Sequence, residues 1–144
     1  MKLSTFILPA LLVAGIYIPK TSYADCGETA SVHVVIPTPE DIYFGYNSAS
    51  LDINSIFQIR DNARWFRLNG SKVLIEGHCD ERGSIKYNHS LGLSRAEVTR
   101  QYMVEIGFEP KDISTEGVGE DKPFSIGHTQ ADWASNRRSH FVAQ

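Results

Sequence analysis

Lys72-Val73-Leu74-Ile75-Glu76-Gly77-His78-Cys79-Asp80 decides the fold. The apolar triplet Val73-Leu74-Ile75 has two β-branched members and is too brief for a buried helix, and Gly77 follows it closely. The stretch therefore reads as a central strand. Toward the C-terminus a loop with Gly83 leads into a helix over about residues 89–106, with Gly107 as a left-handed cap. Toward the N-terminus, Ile56, Ile59, Ala63 and Phe66 step by three, four and three, which is one face of a helix over about residues 53–68 that ends near Asn69-Gly70. Before it, Ile42-Tyr43-Phe44 reads as a strand that stops at Gly45, and Asn47-Ser48 has turn chemistry. Residues 113–118 form a third strand, 130–136 a short helix and 139–143 a last strand. The order β-α-β-α-β-α-β gives an α/β (α+β) two-layer sandwich, a mixed sheet with helices on one face.

The remaining composition fits one such domain. The chain has 144 residues, 42% hydrophobic and 22% charged, enough apolar material for a single core and too little length for two. Fourteen basic against 17 acidic residues leave it net acidic, without the positive footprint that holds phosphate backbones, so nucleic acid is excluded as a partner class. Lys2, the apolar residues 3–18 and the small residues of Ser22-Tyr23-Ala24 read as a signal peptide over residues 1–24; the apolar run contains Pro9 and is too short to cross a bilayer. An exported chain would start at Asp25, with residues 25–41 as a leader segment and 42–144 as the folded domain, and would reside in the periplasm. Export exposes Cys26 and Cys79 to an oxidising compartment, where they can form a disulfide. A lipid on Cys26 is the rival reading, but it normally needs a small residue in front, and Asp25 stands there.

Two charged residues carry the chemistry. In the second helix Leu91, Arg95, Val98, Tyr102 and Ile106 share a stripe, which turns Arg95 toward the sheet, where a guanidinium needs an anion unless its stem snorkels to solvent. Asp80 ends the central strand on the loop entering that helix, the place where ligands collect in α/β sheets. The two either neutralise each other or stand apart as a receptor for a zwitterion, the acid facing an ammonium and the guanidinium gripping a carboxylate in a bidentate fork. Arg137 and Arg138 read as cations complementing a helix dipole. His78, Cys79 and Asp80 adjoin each other, which raises a thiol hydrolase as an alternative, but neighbours along a strand point to opposite faces. His78, Cys79, His89 and His128 lack the paired spacing of a metal site, and neither metal nor cofactor is expected.

Gly77-His78-Cys79-Asp80-Glu81-Arg82-Gly83, Tyr87-Asn88, Leu91-Gly92, Arg95-Ala96, Gly119-Glu120, Pro123, Gly127-His128, Trp133 and Asn136-Arg137-Arg138 together resemble the OmpA-like domain, most closely its branch of peptidoglycan-associated lipoproteins. The resemblance runs from about residue 42 to the C-terminus. It implies non-catalytic binding of peptidoglycan in the periplasm, beside the outer membrane, through the diaminopimelate of the stem peptide. By the same resemblance Asp80 would take the ammonium and Arg95 the carboxylate, Tyr43 and Phe44 would line the groove, and Asn88 and Leu91 would border it. It also implies a place in the Tol system with TolB as protein partner, and an interaction module with little peptidoglycan binding is the alternative function. The sequence departs from that branch in the missing lipidation signal, in Gly45 where an aspartate is usual, and in Cys79 where a small or hydroxyl residue is usual.

Overall fold

The structure, a computed structural model, describes residues 37–144. The elements run β1 (Ile42–Tyr43), α1 (Ile53–Asn69), β2 (Val73–His78), α2 (Ile85–Glu105), a 3-10 turn (Pro110–Asp112), β3 (Ile113–Gly119), α3 (Gln130–Asn136) and β4 (Arg138–Ala143). They form a four-stranded mixed sheet in the order β1-β4-β2-β3; β4 is antiparallel to both its neighbours, and β2 is parallel to β3. The anticipated two-layer α/β architecture is the observed one.

Local chemistry sets the helix ends. Asp52 caps α1 by accepting from the Ser55 N–H at 2.7 Å, and Ser84 caps α2 by accepting from the Tyr87 N–H at 3.3 Å. α2 thus begins four residues before the expected start, because Ser84 supplies the cap. At the other end Gly107 is left-handed, φ 87. Its N–H bonds to the Val104 carbonyl and that of Phe108 to the Met103 carbonyl, both at 2.9 Å, which satisfies two otherwise orphaned acceptors. A capping box between Thr129 and Asp132 starts α3.

Ile59, Ala63 and Phe66 of α1 and Ala96 and Met103 of α2 cover Val73, Ile75, Ile113 and Phe141 of the sheet. The buried side of α2 is Asn88, Gly92, Arg95, Ala96, Thr99 and Met103. This corrects the expected stripe by about one position: Val98, Tyr102 and Ile106 only flank the core. The reason is size, since the small Gly92, Ala96 and Thr99 allow the helix axis to approach the strands.

On the sheet's other face a polar cluster replaces a second helical layer. Asp41 pairs with His140 at 2.7 Å and Arg138 at 2.9 Å, while Glu76 pairs with Lys122 at 3.0 Å and stands 3.5 Å from His78. His78 is 1% exposed. Burial first, then the Arg138 charge, lowers it from 6.5 to about 4, against the opposing pull of Glu76. Unfolded chain takes up that proton near 6.5, so the stability tied to this side chain is lost as pH falls from about 6.5 to 4, and its contribution levels off below. This side chain should account for roughly 2–3 kcal/mol of that loss. Urea unfolding of wild type and His78→Gln at pH 7 and pH 4 checks this: the wild type should lose more by that amount, and equal losses would refute it.

Candidate functional site

Asp80 lies two residues after β2, beyond the strand's carboxyl end, and Arg95 projects from the third turn of α2. Both line one pocket of about 170 Å³, with Asn88, Leu91, Tyr46 and Tyr87 around them. Each is buried, Asp80 4% and Arg95 1% exposed, so the snorkelling alternative for Arg95 does not hold. Nor do the two lock onto each other, because each has other partners.

Arg95 is held by backbone. Its Nε donates to the Ser48 carbonyl at 2.8 Å, Nη1 to the His78 carbonyl at 2.7 Å and the Cys79 sulfur at 3.4 Å, and Nη2 to the Gly45 carbonyl at 3.1 Å. The guanidinium carbon lies 5.2 Å from the centre of the Phe44 ring. With five N–H groups available, one on Nη2 stays unbonded. The bidentate grip expected from the sequence is therefore spent on carbonyls, and what Arg95 offers a ligand is one N–H and an unneutralised charge. Burial pulls its pKa down, but an arginine remains protonated.

Asp80 is met by two other arginines. Arg82 donates to it from the backbone N–H and Nε at 3.1 Å and from Nη2 at 2.7 Å, and Arg137 from Nη1 at 3.3 Å. Burial alone would raise the carboxyl, and the bonds from Arg82 and then Arg137 outweigh it, holding the group below its usual value. Arg137 also donates Nε to the Phe44 carbonyl at 3.0 Å, which overturns its reading as a helix-dipole cation: it ties β1, α3 and the Asp80 loop together. Arg138 pairs with Asp41 on the opposite face instead.

The other anticipated residues divide. Asn88 is scaffold as well as lining: its side-chain amide donates to the Asp80 carbonyl at 3.2 Å and to Glu120, and its own carbonyl accepts the Cys79 thiol at 3.2 Å. Gly83, φ 125, makes the turn that folds the Asp80 loop back over Asn88, a conformation side chains resist. Phe44 is 5% exposed beneath Arg95 and Tyr43 is 54% exposed; the two together line a neighbouring groove with Asp52, Ala134, Ser135 and Arg137. Arg82 and Arg137 are the charged site residues that sequence reasoning missed, and Tyr46 and Tyr87 are missed lining residues. Both arginines stand in the quoted motifs, but Arg137 is 57 positions from Asp80.

Cys79 is buried, burial raising its pKa against the nearby Arg95 charge, and its thiol points to the helical side while His78 joins the opposite cluster. That geometry offers no base to the thiol and argues against a thiol hydrolase. The proposed disulfide partner Cys26, the signal peptide and most of the leader lie outside the described residues. Among the described residues, no group of three or more His, Cys, Asp or Glu could hold a metal ion, and no helix is long and apolar enough to cross a membrane.

A family model described as the OmpA family matches residues 43–137, more than half of the chain. The chain belongs to the OmpA family. Within it, a peptidoglycan-associated lipoprotein from Pseudomonas aeruginosa is 35% identical over 96 residues, 67% of this chain and 57% of that protein. One from Pasteurella multocida is 37% identical over 101 residues, 68% of this chain and 66% of that protein. The chain thus matches under two thirds of the length of either relative. The crystal structure of the peptidoglycan-associated lipoprotein from Burkholderia pseudomallei superposes with a TM-score of 0.69 at 32% identity, covering 72% of this chain and 89% of that one. The C-terminal domain of Helicobacter pylori MotB shares the fold, with a TM-score of 0.68 at 16% identity, covering 73% of this chain and 84% of that one.

Proposed function

We propose that this OmpA-family domain binds peptidoglycan without catalysis, through the diaminopimelate of the stem peptide, and so tethers layers of the cell envelope. The observation that carries the reading is that Asp80 and Arg95 line one pocket without pairing with each other. The acid meets the ammonium of the zwitterion, and the carboxylate turns toward the positive charge of Arg95. Similarity to peptidoglycan-associated lipoproteins supports peptidoglycan as the binding partner. The proposal includes export by residues 1–24, a domain over residues 42–144, a periplasmic place at the outer membrane, and TolB as a protein partner.

Sedimentation with insoluble sacculi tests it. A charge-assisted hydrogen bond is worth roughly 1.5–3 kcal/mol, so Asp80→Asn should bind about ten- to a hundredfold more weakly than wild type. Because Asp80 is held below its usual value, wild-type binding should persist on acidification until the pH is below the ordinary aspartate range, near about 4. A folded Asp80→Asn that pellets as well as its parent would remove Asp80 from the site. Release of soluble muropeptides, abolished by Cys79→Ser, would replace binding with catalysis.

A further inference from the structure

The Asp80 carboxylate has no free acceptor site. Its Oδ1 takes the backbone N–H and Nε of Arg82, and its Oδ2 takes Arg82 Nη2 and Arg137 Nη1. An ionised carboxylate offers about four lone-pair sites, so an incoming ammonium reaches Asp80 only by displacing a donor. The donors are not equally fixed. The backbone N–H belongs to the turn, and Arg137 is anchored a second time on the Phe44 carbonyl, with its side chain 14% exposed. The Arg82 guanidinium has no other hydrogen-bond acceptor among the described residues, and its side chain is 29% exposed. Besides Asp80, it is gripped by two rings, Tyr46 and Trp133, each centred 4.2 Å from its central carbon. Trp133 is itself held by its indole N–H on Glu81 at 3.0 Å, and Glu81 also pairs with His128 at 2.7 Å.

We propose that Arg82 is an exchangeable counter-ion: it occupies Asp80 in the empty site and yields that carboxylate to the ammonium of the ligand, so that binding is an exchange of cations. The proposal rests on the zwitterion reading above. It explains how a carboxylate this buried stays ionised while the pocket is empty, since an uncompensated charge there would be costly. It also sets a selection rule. Three arginines and one acid line the pocket, so a plain amine meets net positive charge, whereas an ammonium arriving with its own carboxylate brings the anion that Arg95 and Arg137 attract.

Calorimetric titration with the stem tripeptide L-Ala-γ-D-Glu-meso-diaminopimelate distinguishes the cases. Arg82→Gln should bind at least roughly tenfold tighter than wild type, since the two guanidinium bonds to Asp80 no longer have to be broken. Arg82→Lys, a point charge without the fork, should gain less. Binding by Arg82→Gln where wild type shows none would support the exchange in its strongest form. Equal or weaker binding by a folded Arg82→Gln, with wild type binding normally, overturns the exchange and leaves the binding function standing. No binding by either protein removes both.

Discussion

Arg95→Ala should lower stability by at least about 3 kcal/mol and abolish sacculus binding even where the variant remains folded. The guanidinium donates to the carbonyls of Ser48, Gly45 and His78, and so pins the loop after β1 to the end of β2 from a position on α2. Truncation takes the donors from those three acceptors at once, and orphaned buried polar groups cost about 1–3 kcal/mol each, less where water enters from the pocket. A loss of that size in a domain of about 100 residues should bring its melting temperature down by on the order of 10–20 °C. Calorimetric melting and urea unfolding give the stability term, and sedimentation well below the variant's melting point gives the binding term. A shift of only a few degrees would mean that the pinning is decorative. Unchanged binding by a folded variant would mean that the positive charge at the pocket floor plays no part.

Arg95 also shows how far the sequence could be read. Its inward placement on α2 follows from spacing, and its neighbourhood with Asp80 follows from strand and helix order, because both depend on local periodicity. Its bonding does not follow, since the acceptors Gly45 and Ser48 lie 50 and 47 positions away and are backbone atoms that no residue type announces. The same holds for Asp80: a carboxylate after a strand is legible, but its partners Arg82 and Arg137 depend on how the loop after β2 and the end of α3 fold toward each other. Tyr43 and Phe44 show the opposite limit. As neighbours on an extended strand they face opposite ways: both border the groove beside α3, only Phe44 lies beneath Arg95, and neither lines the pocket that holds Asp80 and Arg95.

Why Asp80 and Arg95 meet at all comes down to a contact without side chains. A Cβ placed on Gly77 of β2 would sit 1.8 Å from the Gly92 carbonyl oxygen and 2.5 Å from its carbon; one on Gly92 of α2 would sit 2.4 Å from the Gly77 oxygen. Helix and strand backbones touch there, one helical turn from Arg95 and three residues before Asp80 in sequence. Gly77→Ala therefore cannot be absorbed by turning a side chain, because the obstacle is helix backbone and α2 must move outward. Overpacking of a core typically costs 1–3 kcal/mol and occasionally more, and with main chain as the obstacle we expect about 4 kcal/mol, a large share of the stability of a small domain. The displacement would also stretch the bond from Arg95 to the His78 carbonyl, 2.7 Å, and that from Asn88 to the Asp80 carbonyl, 3.2 Å, so residual folded protein should bind sacculi poorly. Gly45→Ala is the matched control: its Cβ would meet nothing nearer than Ser48 Cβ at 3.7 Å, and an exposed change of this kind stays within about 0.5 kcal/mol. Urea unfolding of both variants beside wild type reads the contrast. If Gly77→Ala proves as mild as Gly45→Ala, α2 has room to recede, and the close approach does not set the geometry of the pocket.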